Sequence, residues 1–156
     1  MTLLDAQVQA FVDQTIQHYP VDAVASDISQ QRKWYRQMYL AFAAPKPTNV
    51  LIQNAQVQGP DGHLIPVRHY QPQGLSNSET LNHPVQVVYL HGGGFVVGDL
   101  ESHDDVCAEM ADLCGFNLTA VAYRLAPEHQ YPCDIRDCLA VVDHLMNLGK
   151  AIILVG

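Results

Sequence analysis

The run His91-Gly92-Gly93-Gly94 is the part of the sequence whose residue types point most directly to chemistry. It follows a nearly continuous apolar run, Val85–Leu90, which is typical of a strand that is covered on both faces. Three successive glycines remove every Cβ, so backbone N–H groups can approach a ligand closely. Fixed N–H donors about 3 Å from a developing negative oxygen form an oxyanion hole. The spacing therefore predicts that this run is an oxyanion-hole loop.

Two other interpretations of the glycine run stay open. A Gly-rich turn after a strand can also cradle a phosphate, but the sequence has neither G-x-G-x-x-G nor G-K-[ST] at this place. The run can also be a tight turn without a chemical role, although such a turn seldom needs three glycines beside a histidine. A strand followed by H-G-G-G is the context found in lipases and esterases, and it favours the oxyanion hole.

A second motif follows about twenty residues after the first. The segments HGGGFVVGDLESHD (91–104) and YRLAPEHQYP (123–132) occur in this order. Together they resemble the hormone-sensitive-lipase branch of the α/β-hydrolases, which includes bacterial carboxylesterases and acetyl esterases. The resemblance covers residues 50–156. The N-terminal helices resemble that family only in the type of element. In the family, such helices form part of a cap over the active site.

The resemblance implies roles for the residues of the first motif. Gly93 and Gly94 are the expected N–H donors to the oxyanion, Gly92 permits the turn, and His91 fixes the loop by hydrogen bonding. These four residues are the only catalytic group that we expect within this chain.

The second motif resembles a structural brace near the site. Its matching residues are Tyr123, Arg124, Pro127 and Glu128. We expect a buried pair between Arg124 and Glu128, because either charge alone would be costly to bury.

The resemblance also implies a serine nucleophile in G-x-S-x-G, followed in chain order by the acid and the general base. Gly156, after the apolar run 152–155, matches the first glycine of that motif. We therefore expect the chain to be the N-terminal portion of a hydrolase, without its nucleophile, acid or base. Ser102 beside His103 is not expected to substitute, since Ser102 fits a helix cap. His103 and Asp137 match family positions with packing or hydrogen-bonding roles.

The amino-acid composition disfavours several classes of binding partner. The 156 residues carry a formal net charge of −8, which disfavours nucleic-acid binding. The N-terminus does not match a signal peptide, and no stretch approaches the roughly 20 apolar residues that span a bilayer. We expect a cytoplasmic protein with no cofactor and no metal, because the cysteine spacing fits no familiar zinc site. The cysteines are Cys107, Cys114, Cys133 and Cys138.

Hydrophobic periodicity divides the chain into a helical segment, 1–45, and an α/β segment, 46–156. The resemblance implies that the first is a cap segment and the second is the N-terminal part of an α/β-hydrolase core. Apolar residues at helical spacing predict helices over 3–19 and 26–43 in the first part. The second part opens with strands at 50–57 and 64–70, joined through an Asp-Gly hairpin signal. A polar loop is expected at 71–84.

Strands and helices then alternate, which predicts parallel strands in a three-layer α/β sandwich with the hairpin added antiparallel. The resemblance implies that this sandwich is a partial α/β-hydrolase fold. Ser102 and Asp105 fit a capping box for the first crossover helix, which ends near Cys114 with Gly115 as its cap. We expect the strands 85–90, 118–123 and 151–155, the last one buried, and a helix from Pro132 to Gly149. The apolar stripe of that helix is expected to consist of Ile135, Cys138, Leu139, Val142, Leu145 and Met146.

The resulting prediction is a hydrolase of short-chain carboxylic esters that works through a serine acyl-enzyme, with this chain supplying the oxyanion-hole half. A small-molecule ester is the expected ligand, and the C-terminal half of the hydrolase is the expected partner. Homo-oligomer formation stays open. Two alternatives remain: a non-catalytic relative that kept the pocket, and an inactive truncation product with an exposed apolar sheet edge.

Overall fold

The computed structural model describes residues 5–73 and 83–156, which form two compact units, Met1–Ala43 and Ala44–Gly156. Most of the expected polar loop at 71–84 lies outside the described residues. No helix within the described ranges is long and apolar enough to cross a membrane.

The first unit is a pair of helices, α1 (Ala6–His18) and α2 (Ile28–Phe42), as the periodicity predicts. Each begins after an aspartate whose carboxylate accepts a hydrogen bond from a free N–H group of the first turn. Asp5 accepts from the Gln7 N–H at 2.8 Å, and Asp27 accepts from the Gln30 N–H at 3.0 Å. The aspartates therefore fix where both helices begin.

The second unit is built on one five-stranded sheet. Its strands are β1 (Val50–Gln58), β2 (Leu64–Pro72), β3 (Val85–Leu90), β4 (Asn117–Val121) and β5 (Ala151–Val155), in the spatial order β1-β2-β4-β3-β5. β1 and β2 form the antiparallel hairpin, with Gly62 at a φ of 78° in its turn. β2 pairs antiparallel with β4, while β3 lies parallel between β4 and β5. The predicted directions are confirmed, although β4 and β5 each neighbour β3 and not one another.

Helices α3 (Asp104–Cys114) and α4 (Cys133–Asn147) cover opposite faces of this sheet. Val87 of β3 packs in the core under α3, and Val88 packs in the core under α4. A strand between two helical layers buries both of its faces, which explains the continuous apolar run at 85–90. The three-layer α/β arrangement is thus confirmed.

The start of α3 differs from the predicted capping box. The Ser102 hydroxyl accepts a hydrogen bond from the Asp99 N–H at 2.9 Å, and the Asp99 carboxylate accepts one from the Ser102 N–H at 2.8 Å. The carboxylate of Asp105 instead accepts from the Ala44 N–H at 2.8 Å. The reciprocal pair therefore lies one turn earlier than Ser102 and Asp105, in the turn that leads to the helix. Gly115 caps the other end with a φ of 71°, as expected.

The expected burial of β5 is wrong, and part of the apolar stripe of α4 is exposed as well. β5 is mostly exposed, because it pairs with β3 on one side only. On α4, the buried positions are Asp134, Asp137, Val141 and Leu145. Of the predicted apolar stripe, Ile135, Leu139 and Met146 are exposed. Helical spacing fixes which residues share a face, but it does not fix which face the fold covers.

Candidate functional site

The glycine run lies directly after the carboxyl end of β3 and forms a compact turn. The N–H groups of Val96 and Val97 both donate to the Gly93 carbonyl, at 3.2 and 3.1 Å. Gly93, Gly94 and Phe95 have successive positive φ values of 122°, 60° and 64°. Such values suit glycine and are rare for a residue such as phenylalanine. The backbone direction therefore reverses at 93–95.

The N–H groups of Gly93 and Gly94 donate to no acceptor within residues 5–73 and 83–156. Gly93 is half-buried and Gly94 is exposed. Two consecutive donors without one are available to a ligand or to water. An oxyanion hole needs donors of this kind.

Close packing restricts the side chains that this turn can accept. A Cβ on Gly93 would lie 2.1 Å from the Val97 carbonyl oxygen. A Cβ on Gly98 would lie 2.5 Å from both the Gly92 carbonyl oxygen and Nδ1 of His91. Gly98 is thus required by the loop, and sequence reasoning missed its role, for which the repeated glycine was the only signal.

His91 lies beneath the loop and is buried. Its Nδ1 donates to the Gly92 carbonyl at 2.8 Å, which places the ring proton on Nδ1. The ring stacks on Tyr123, with centroids 4.3 Å apart, and the Tyr123 hydroxyl donates to the His91 carbonyl. Burial lowers the pKa of His91, so the neutral ring is favoured. His91 is therefore hydrogen-bonded to the glycine loop through Gly92.

Ser102 and His103 are hydrogen-bonded to each other but are not placed to react. The Ser102 Oγ lies 2.9 Å from Nδ1 of His103 and also donates to the Asp99 carbonyl. Only 2% of Ser102 is exposed. Burial, followed by the nearby His91, lowers the pKa of His103. The pair is part of the turn before α3, and a substrate cannot reach its hydroxyl.

Arg124 forms the expected structural brace with Asp137. Asp137, fully buried on α4, accepts hydrogen bonds from the Arg124 N–H and side chain at 2.8–3.2 Å and lies 2.9 Å from Nε2 of His63. Arg124 also pairs with Asp61 at 3.0 Å. Burial raises the pKa of Asp137, but the hydrogen bonds from Arg124 outweigh it, and the pKa is lowered. The predicted pair with Glu128 is wrong, because Glu128 lies on an exposed turn.

A second polar cluster, which sequence reasoning missed, fixes the other side of the loop. Arg68 of β2 is buried and donates to Asp104 at 2.8 Å. The Tyr70 hydroxyl donates to the same carboxylate at 2.8 Å, and Lys46 pairs with it as well. These hydrogen bonds outweigh burial and lower the pKa of Asp104. The cluster ties the start of α3, directly after the glycine loop, to the sheet.

An open groove of about 440 Å³ begins at the glycine loop and runs between α4 and β5. Its walls are largely apolar, with His91 and Asp134 among the few polar residues. The apolar residues include Leu90, Phe95, Ile135, Leu139, Val142 and Leu154. Among the described residues, no three His, Cys, Asp or Glu side chains are grouped as metal ligands would be.

Comparison with known proteins agrees with this architecture. Residues 87–154 match a family model described as the alpha/beta hydrolase fold. Over 133 residues the chain is 32% identical to ethyl acetate hydrolase of Pseudomonas putida, covering 85% of this chain and 40% of that protein.

Solved structures give the same result. The hyperthermophilic esterase of Pyrobaculum calidifontis superposes with a TM-score of 0.80 at 28% identity, covering 99% of this chain and 49% of that chain. An esterase from the bacterial hormone-sensitive lipase family superposes with a TM-score of 0.77 at 20% identity, covering 98% of this chain and 48% of that one.

The chain therefore has the α/β-hydrolase fold. Its predicted resemblance to the esterases among the α/β-hydrolases is confirmed, because the relatives named here are ester hydrolases. The chain spans 40% of the length of the ethyl acetate hydrolase and 49% of the length of the Pyrobaculum calidifontis esterase.

Proposed function

We propose that the protein hydrolyses short-chain carboxylic esters through a serine acyl-enzyme, and that this chain supplies the oxyanion hole. The observation that carries the proposal is the pair of N–H groups on Gly93 and Gly94, after the carboxyl end of β3, that have no acceptor among the described residues. The names of two matched relatives, ethyl acetate hydrolase and acetyl esterase, support a short acyl group.

In the proposed mechanism, a serine oxygen attacks the ester carbonyl carbon while a general base takes the serine proton. The carbonyl oxygen becomes negative, and the Gly93 and Gly94 N–H groups donate hydrogen bonds to it. The tetrahedral intermediate then expels the alcohol, which receives the proton, and water later hydrolyses the acyl-enzyme. These donors require no reorganisation during the reaction, because the turn already holds them.

The serine, the acid and the base are proposed to come from sequence outside these 156 residues, which contain no G-x-S-x-G. The chain's coverage of less than half of its relatives supports this arrangement. The cytoplasm remains the expected compartment, and the oligomeric state remains open.

A non-catalytic binding protein is the second candidate. It would keep the groove beside the loop and bind an ester without turnover. The same N–H donors would then contact a ground-state carbonyl, and their loss would weaken binding rather than a chemical step.

The test is Gly93→Ala in the complete enzyme. The new Cβ would meet the Val97 carbonyl, so the turn must shift and the donors lose their position. Removing an oxyanion donor typically lowers kcat by about 10²–10³. We expect a loss of this size for p-nitrophenyl acetate with a much smaller change in KM.

Gly115→Ala is the matched control, because Gly115 has a similarly unfavourable φ of 71° for alanine but caps α3 away from the loop. It should lower the unfolding temperature and leave kcat unchanged. If folded Gly93→Ala enzyme retains normal kcat, the run is a tight turn and the oxyanion assignment is wrong.

A further inference from the structure

Asp134 is a buried carboxylate that the proposed mechanism does not use. The residue is only 9% exposed, and its Oδ1 has no hydrogen-bond partner among the described residues. Leaving a buried acceptor without a donor costs about 1–3 kcal/mol, and more for a charged group. Protein structures seldom contain a buried polar group without a partner unless that group has a role. Oδ1 itself has almost no accessible surface, so a ligand in the neighbouring grooves would meet chiefly the charge of the carboxylate.

The position of Asp134 connects it to the candidate site. It lies in the first turn of α4, where the helix dipole favours negative charge. It lines the groove beside β5 together with His91, Phe95 and Tyr123. It also lines a neighbouring groove of about 470 Å³ together with Gly94. The carboxylate therefore adjoins both grooves that meet the glycine loop.

We propose that Asp134 binds a protonated amine on the ester substrate, so that the site selects esters carrying an alkylammonium group. This inference rests on the proposed esterase function and specifies its substrate class. The positive charge of the ammonium would pair with the carboxylate that lines the grooves.

Three features of the chain favour an ammonium donor over a neutral hydroxyl. The rings of Phe95 and Tyr123 line the same groove, and aromatic faces attract cations. The net charge of −8 raises the local concentration of cations over anions. A carboxylate near the loop also opposes a developing oxyanion, and a bound cation cancels this repulsion. A hydroxyl would supply the hydrogen bond without that cancellation.

The proposal is tested with two acetate esters of nearly the same shape. 2-(Dimethylamino)ethyl acetate carries an N–H cation at about pH 7, whereas 3-methylbutyl acetate has carbon in place of nitrogen. Their affinities for the 156-residue chain are measured by saturation-transfer NMR titration. Hydrogen bonds to charged groups contribute about 1.5–3 kcal/mol, so we expect the cationic ester to bind at least about tenfold more tightly.

Asp134→Asn should abolish this preference, because the amide keeps the shape and loses the charge. Asp143→Asn is the matched control, since Asp143 lies on the exposed side of the same helix and its loss changes the net charge equally. Thermal unfolding verifies that both variants are folded. Equal binding of the two esters to the original chain, or an unchanged preference in folded Asp134→Asn, would overturn the proposal.

Turnover by the complete enzyme separates this inference from the proposed function. Asp134→Asn should slow hydrolysis of the cationic ester and accelerate hydrolysis of the neutral one, because the charge that opposes the oxyanion is gone. If neither ester is hydrolysed while the chain still prefers the cation, the esterase function fails and the Asp134 site stands. If both are hydrolysed equally and the variant changes neither, the Asp134 site fails and the esterase function stands.

Discussion

At the scale of single residues, the candidate oxyanion loop is held by its surroundings. Phe95 has a φ of 64°, a left-handed conformation that costs a non-glycine residue roughly 1–2 kcal/mol. Its carbonyl accepts a hydrogen bond from the Ala126 N–H at 2.9 Å, which joins the loop to the segment that contains Arg124. Strained residues persist where neighbouring contacts determine them, and such residues cluster at functional sites.

The brace between Asp137 and Arg124 gives a prediction at this scale. Asp137→Asn removes a fully buried negative charge that faces the partly exposed Arg124 guanidinium. Breaking a buried pair by removing one partner costs about 3–5 kcal/mol. We expect the free energy of unfolding, measured by urea titration, to fall by about 3 kcal/mol.

Asp143→Asn serves again as the control, because Asp143 is exposed and surface substitutions usually change stability by less than about 0.5 kcal/mol. Equal stability of the Asp137 and Asp143 variants would show that the brace does not stabilise the fold.

At the scale of elements, β5 is an apolar strand at the edge of the sheet. Ile153 and Leu154 are both exposed, and α4 beside them exposes Ile135 and Leu139. An unpaired apolar edge offers free N–H and C=O groups to another chain. The surface that adjoins the candidate site is therefore also the surface where this chain is most prone to associate.

Leu154→Lys tests this consequence, since a charged side chain on an edge strand opposes edge-to-edge pairing. We expect the 156-residue chain to self-associate with rising concentration in sedimentation velocity, and the variant to remain monomeric. Leu113→Lys, at a more exposed apolar position on α3, is the control and should still associate. Association of both variants to the same extent would place the contact elsewhere.

The sequence predicted the helices and strands well, because the patterns that mark them lie in neighbouring residues. Period-2 and period-3.6 patterns, Asp-Gly in the hairpin and Gly115 after α3 depend on neighbours in the chain. The exposure of β5 and of the Ile135–Leu139 stripe could not be predicted in this way. It depends on which strands and helices lie beside them, and that is a property of the assembled fold.

At the scale of the whole molecule, the buried histidines make stability depend on pH. Burial lowers the pKa of His91 and His103 below the ordinary value of about 6.5. Between the folded and unfolded pKa values, the unfolded chain therefore binds more protons than the folded chain. Stability must fall as pH falls below about 6.5, by up to about 1.4 kcal/mol per pH unit for each histidine.

The measurement is urea unfolding at about pH 7.5 and about pH 5.5. We expect the free energy of unfolding to be lower at the acid pH, and His103→Gln to show a smaller difference. His129→Asn, which removes an exposed histidine, should retain the full difference. The lowered pKa values of Asp104 and Asp137 add a further loss only at still lower pH, below the ordinary carboxylate range. A stability independent of pH in this interval would contradict the prediction.

The location of the candidate site was also predictable, whereas its supporting residues were not. The motif at 91–94 carries its own strand context, so its place at the end of β3 follows from the sequence. Asp134, Arg68 and Asp104 are ordinary charged residues, far apart in sequence, with no spacing that marks them. Only the assembled sheet brings Arg68 of β2 to Asp104 of α3, and only the buried face of α4 makes Asp134 unusual.

The strand order has a consequence for where a ligand can enter. From β3 the chain passes through α3 to β4 on one side, then through α4 to β5 on the other side of β3. The two crossover helices therefore leave the sheet in opposite directions, and β3 is a topological switch point. At such a point a crevice opens beyond the carboxyl ends of the strands, where open α/β sheets bind their ligands. The glycine loop is the segment that the connectivity places in that crevice.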